Sequence, residues 1–558
     1  MSTDGSADLA FVNGDVYTVD AARTWAQAVA VRDGRIVAVG ADATVSGLIG
    51  TSTEVVDLGG RMLLPGFQDA HVHPVSSGIE MLRCDLNELA SPDAYVAAVA
   101  SYAAAEPAEP WILGGGWAMD EFPGGCPSKG ALDGVVPDRP VFLPSRDGHS
   151  AWVNSKALEL AGVTRDTADP ADGRIERDEG GEPMGTLHEG AIALVDALVP
   201  PSSPDLVRRG LLRGQAYLHS LGITAWQDAI VEVDPAGGEG AFGAYLAAAR
   251  SGDLTARVVG ALWWDRHRGL DQIDDLVALR DRGAAGRFRA TSVKIMLDGV
   301  CENFTAAVLD PYLDAAGLPT ANRGISFVDP ELLKDAVTRL DALGFQVHFH
   351  AIGERANREA LDAVEAARTA NGMSDTRPHV AHIQVVHPDD LPRFRRLRVV
   401  ANAQPLWAAH ERQMDDLTIP FLGEPRWTWQ YPFASLARHG AILAMGSDWS
   451  VSTPDPLQEI HVAVNRRMPS GYIHHVDRAD AFLPEERLDL ATSIAAFTMG
   501  SAYVNHLDID TGSIEVGKYA DLVVLDRNVF AAPPEEIAET RCVQTFVGGR
   551  RVYAAAES

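Results

Sequence analysis

Cysteine is scarce in this chain. Four cysteines occur among 558 residues, Cys84, Cys126, Cys301 and Cys542, with no CxxC pair. That argues against a disulfide-stapled scaffold and predicts four reduced, mostly buried thiols in a cytoplasmic protein. Positive charge is also short: 47 Lys and Arg against 77 Asp and Glu, a formal charge of −30. Phosphate binding needs clustered cations, so neither nucleic acid nor an anionic membrane is expected as a partner. No uninterrupted apolar run reaches the ~18 residues of a membrane span. Residues Met1–Ser6 lack the basic and apolar regions of a secretory leader. What remains is ordinary for a soluble globular enzyme, with 46% hydrophobic and 22% charged residues, and the partner expected is a small-molecule substrate. A homodimer is the assembly to test.

Both ends of the chain read as short strands and turns. Near the start, Ala10–Val12, Val16–Val19, Ala28–Val31 and Ile36–Val39 are split by Asn13-Gly14 and Asp33-Gly34, dipeptides that suit tight hairpins. Residues 512–553 have the same texture. Neither end holds much core alone, so a small β-sandwich built from 1–62 and 507–558 is expected beside a central domain of 63–506. Within that domain, apolar strands alternate with helical stretches. Eight candidate strands, 63–71, 223–229, 257–264, 291–297, 345–351, 378–384, 398–404 and 441–447, predict a (β/α)8 TIM-type barrel. About 150 residues separate the first two strands, so roughly 80–210 is expected to be an insertion over the barrel mouth.

Barrel active sites form at the C-terminal ends of the strands. In Leu63–Pro74, His71 and His73 leave an apolar run at spacing i, i+2, which points both to one face of a strand, as a chelating pair would be. Other metal-capable residues fall at strand ends: Lys294, His350, His382 and Asp448. His348 shares a face with His350 but lies one side-chain layer deeper, so His350 is preferred. His379, of opposite parity to His382, is expected to pack against a helix. His387 is expected in a surface loop.

The chain resembles the amidohydrolase superfamily, and within it the YtcJ-like branch that includes N-substituted formamide deformylases. The matching stretches are Pro65–His73, Gly115–Trp117, Gly148–Leu158, Val293–Gly299, Thr305-Ala306, His350–Ala356, Ala381–Gln384, Gly446–Trp449 and Gly517–Leu525. The resemblance implies that His71, His73 and Asp448 hold a deeper metal, and that His350 and His382 hold a second. Lys294, carbamylated by CO2, would bridge them. Two Zn2+ are expected, or one metal if Lys294 is unmodified. The implied reaction is hydrolysis of a non-peptide C–N bond, of a linear N-acyl or N-formyl amine. Asp448 would act as general base and then acid towards metal-activated water. A deaminase or cyclic amide hydrolase is the alternative. Deaminases of this superfamily generally lack the bridging lysine, so Lys294 disfavours them. A non-catalytic metal-binding protein is the second alternative.

Substrate contacts are expected from Trp117 and His149 in the insertion and from Asn402 and Gln404 at the end of strand seven. Trp407, Trp427, Trp429 and Trp449 could face an apolar leaving group or pack the loops. Asp69 and Gln384 are candidates to orient the histidines. Glu354 stands where the family usually has Asp, and is expected to cap the following helix.

Overall fold

The computed structural model describes residues 5–233, 239–478 and 480–556. Eight parallel strands form its centre: β1 Phe67–Val72, β2 Ile223–Val231, β3 Arg257–Trp263, β4 Phe288–Met296, β5 Gln346–Ala351, β6 His379–His382, β7 Val400–Ala403 and β8 Leu443–Met445. They pair in chain order. Past the end of β8, the chain is stitched back to β1. The Asp448 N–H donates to His71 O at 2.8 Å, and the His73 N–H donates to Trp449 O at 3.0 Å. Buried Asp69 accepts from the Ser447 N–H and hydroxyl, the latter at 2.6 Å. The fold is a (β/α)8 TIM-type barrel beside a small β-sandwich.

The expected strand 63–71 is two strands in two different sheets. Met62–Pro65 pairs with Leu522–Leu525 in the outer unit, and Phe67–Val72 opens the barrel. Gly66 makes the crossing. A Cβ there would lie 2.3 Å from the Thr224 side chain, so only glycine lets the backbone pass this close to β2. The outer unit has a four-stranded sheet from residues 9–57 and a six-stranded sheet that combines 15–26 and 62–65 with 522–554. Phe11, Val29, Leu63, Leu522 and Phe546 share its core. Asp33-Gly34 turns a hairpin as expected. Asn13-Gly14 does not, because the strands on either side of it lie in different sheets.

Residues 84–189 build a further six-stranded sheet, ordered 173–177, 183–189, 150–153, 141–144, 112–115 and 84–85. Among the described residues no helix is long and apolar enough to cross a membrane.

The helix that carries the chain away from β1, Pro74–Glu80, crosses the helix Pro204–Ser220 at backbone distance. A Cβ on Gly78 would meet Gly210 O at 1.9 Å, and one on Gly214 would meet Pro74 O at 2.3 Å. Gly78→Ala is therefore expected to force the helices apart, costing about 1–3 kcal/mol as overpacking does. Urea unfolding checks this; an unchanged midpoint would show that the crossing yields easily.

Candidate metal centre

Six side chains line one cavity of about 250 Å3 at the C-terminal mouth of the barrel: His71, His73, Lys294, His350, His382 and Asp448. Asp448 Oδ1 lies 3.1 Å from His71 Nε2 and 2.9 Å from His73 Nε2. Its Oδ2 lies 3.9 Å from His382 Nδ1. Lys294 Nζ is 3.4 Å from His71 Nε2. The His382 ring sits 4.7 Å from that of His71 and 4.5 Å from that of His350.

His382 reaches the mouth through its backbone. His379 and Ala381 alternate inward, so parity would turn His382 outward. Its φ of 76°, followed by 42° at Ile383, swings the ring back over the cavity. The same change of parity corrects the reading of His379, which lies inside the barrel and not against a helix. Its Nε2 is 2.9 Å from Gln227 Oε1, and its ring is 3.9 Å from that of His348. His348 sits below the cavity, its Nε2 2.7 Å from His71 Nδ1. That contact fixes His71 with Nε2 directed at Asp448.

The donor set fits a divalent cation. Buried His382 has no hydrogen-bond partner at either ring nitrogen. Leaving such atoms unmade costs about 1–3 kcal/mol each, which a bound ion would offset. Imidazole and carboxylate suit zinc and its neighbours. Burial holds the pKa of His350 and His382 well below the ordinary value, in the neutral form that ligates. Burial also pushes Lys294 down to about 7, with Asp448 opposing it. Burial alone would raise Asp448, but His71, His73 and His382 outweigh it and hold this carboxylate well below its usual range.

Several supporting residues escaped the sequence reading. Asp298 Oδ1 lies 3.3 Å from His350 Nδ1, and the carboxylate accepts from the Ala307, Ile352 and Gly353 N–H groups. It lies in the matching stretch Val293–Gly299, but no role was expected for it. Glu189 holds His149 Nδ1 at 2.9 Å. Trp263, at the end of β3, lines the cavity.

Three of the four expected substrate contacts are placed differently, as are two of the expected supporting residues. Trp117 is buried in the core of the insertion, donating Nε1–H to Leu143 O and packing against Trp152, so it does not reach the cavity. Asn402 donates to Ala70 O, and Gln404 accepts from the His382 N–H at 2.7 Å. Both are buried below the mouth, where they brace strands. Glu354, the first residue of its helix, reaches outside it and accepts from the Leu309 N–H at 3.0 Å. Asp69 holds the His71 N–H at 3.0 Å, whereas Gln384 bonds to Gln430. Among the four tryptophans, Trp407 lines the cavity and stacks on His382.

His149 lines the cavity as expected, its ring 5.4 Å from that of His350. Burial disfavours its charge, but Glu189 more than compensates and pushes it up to about 9. Glu189 is desolvated too, yet His149, Asn303 and Thr305 bring it down to about 2. Stability from the raised histidine is complete below its ordinary value near 6.5 and is lost as pH rises through 9. Stability from the depressed carboxylate is complete above 4.5 and is lost as pH falls through 2. Metal-free protein is therefore expected to lose about 1.4 kcal/mol per pH unit between pH 6.5 and 9 from this pair. His149→Gln should remove that slope in urea unfolding at graded pH; an identical slope in the variant would refute the assignment.

Residues 54–553 match a family model described as the amidohydrolase family. Protein LONG AFTER FAR-RED 3 of Arabidopsis thaliana is 34% identical over 98% of this chain and 92% of its own length. Putative amidohydrolase YtcJ of Bacillus subtilis is 30% identical, covering 97% of this chain and 98% of its own. The N-substituted formamide deformylase of Arthrobacter pascens is 27% identical over 97% of each. Among solved structures, an uncharacterized metal-dependent hydrolase from Pyrococcus furiosus superposes with a TM-score of 0.70. It is 27% identical and covers 93% of this chain and 99% of that one.

Proposed function

Because this chain belongs to the amidohydrolase family and is a metal-dependent hydrolase of that superfamily, we propose that it cleaves the C–N bond of a linear N-acyl or N-formyl amine. The observation that carries the reading is the convergence of three imidazoles on one buried carboxylate, with Lys294 beside them. His71, His73 and Asp448 form one ligand group in this proposal, and His350 and His382 form the other. Lys294 joins the two as a carbamate, or the site takes a single ion if the amine is free. Zinc is the proposed metal. A divalent ion held there supplies Lewis-acid activation of water and of the substrate carbonyl.

The chain's own groups do the rest. Asp448, ionised, takes a proton from the attacking water and returns it to the departing nitrogen. Glu189 engages Nδ1 of His149 and favours its cationic form, which leaves Nε2–H to donate to a carbonyl oxygen as negative charge builds there. Trp407 and Trp263 wall the acyl side. An adjoining cavity of about 810 Å3 shares His73, Ser76 and Ile230 with the first. Val75, Ile79, Val207 and Ala244 line it and suit an apolar N-substituent. The formamide deformylase relative supports this substrate class.

The test is turnover of a panel of N-formyl, N-acetyl and N-aryl amides, with metal content measured on the same sample. Release of amine from linear amides is expected. Metal-replete protein that leaves every amide intact but frees ammonia from an aminated heterocycle would be a deaminase instead.

A further inference from the structure

A second cluster of ligating side chains lies away from the barrel mouth. Cys126 follows the glycine pair at 124–125. Glu176 and His188 come from the antiparallel strands Gly173–Arg177 and Pro183–Glu189. One donor atom from each lies within 4.8 Å of the others. Cys126 Sγ is 3.8 Å from His188 Nε2, and Glu176 Oε1 is 3.2 Å from that same nitrogen.

A nucleophilic triad would place the carboxylate on the far ring nitrogen, so that the histidine relays between acid and thiol. Here thiol and carboxylate face one nitrogen, a convergence that suits a shared cation. Both edges that meet at His188 Nε2 agree with such a site. Zinc bound tetrahedrally at ~2.3 Å to sulfur and ~2.0–2.1 Å to nitrogen and oxygen sets a sulfur–nitrogen edge of about 3.6 Å and a nitrogen–oxygen edge of about 3.3 Å. An independent observation concerns the ring's other side. His188 Nδ1 lies 2.7 Å from the Ser150 hydroxyl, the kind of outer contact that fixes a ligating imidazole. Arg174 Nε holds Glu176 Oε1 at 2.5 Å and fixes the direction of the carboxylate.

We propose that Cys126, Glu176 and His188 form a metal site separate from the barrel centre, taking one borderline-soft divalent ion of the zinc class with a fourth position for water. Binding forms a sulfur–metal bond and releases the Cys126 thiol proton to solvent. The ion ties the 124–126 loop to the strand pair. His188 precedes Glu189, which anchors His149 at the cavity, so the site braces that wall. This inference stands apart from the reading of the barrel, whose six named groups include no cysteine.

Cobalt distinguishes the two centres. Metal-free full-length protein titrated with Co2+ is expected to develop a near-ultraviolet sulfur-to-cobalt charge-transfer band whose limiting intensity corresponds to one thiolate-bound ion per chain. Cys126→Ser should abolish the band and lower total bound cobalt by one equivalent. Asp448→Asn should leave the band intact. Glu176→Gln, which keeps the side chain's size, should weaken cobalt binding at this band at least tenfold and covers the case in which Cys126→Ser fails to fold. Absence of the band in the wild type, or its survival in folded Cys126→Ser, overturns the proposal.

Discussion

Asp448→Asn is expected to reduce kcat by about 10^3-fold or more, within the range lost when a positioned general acid–base is removed. The carboxamide keeps the shape but not the charge or the basicity. One Asp448 oxygen lies 2.9 Å from His73 Nε2 and 3.1 Å from His71 Nε2, so the substitution also weakens a ligand group. Rate and metal content must therefore be read on one sample. Loss of rate with metal retained isolates the proton-transfer role, and joint loss of both assigns Asp448 mainly to holding the ion. Full hydrolytic activity in the metal-replete variant would remove Asp448 from the chemistry altogether.

Lys294→Ala is expected to bind one ion fewer in the barrel and to lower kcat/KM at least ~10^2-fold, or about 2.7 kcal/mol. Lys294 is 2% exposed and depressed to about 7, so an appreciable fraction is free amine at neutral pH. Only the free amine can attack CO2, forming the N–C bond and shedding a proton. The wild type should therefore carry a mass increment of one CO2 at Lys294, and the variant none. A wild type with unmodified Lys294 and one barrel ion would leave this residue as a buried cation beside Asp448.

Much of this site was legible because barrel geometry converts a sequence position into a place. His71, His73, Lys294, His350 and Asp448 all sit where an apolar run ends. His382 also ends a run, but its orientation depends on a positive φ that no pattern of alternation contains. The same hidden turn misled the reading of His379. Asp298, though within a matching stretch, received no role because its three backbone donors come from two other segments. Asn402 and Gln404 stood near the right strand end and Trp117 in the right insertion, yet burial and partner decide whether a side chain faces the cavity or the core. Gly66 lies inside an apolar run that looked like one strand, and only the nearness of Thr224 explains why the run divides.

The backbone stitching of β1 to the end of β8 also sets an order of assembly. His71 and His73 leave the ribosome early, whereas Asp448, which would complete the ligand group proposed for them, follows 375 residues behind His73. A nascent chain that stops short of β8 has the histidines but neither the carboxylate nor the strand that shuts the barrel. Such late, long-range closure is costly to nucleate and leaves β1 unpaired on one side until the end. If the proposed ligand group holds the ion, tight metal retention would report that synthesis and closure are both finished, and truncated or misfolded copies should be recognisable by failing to hold it.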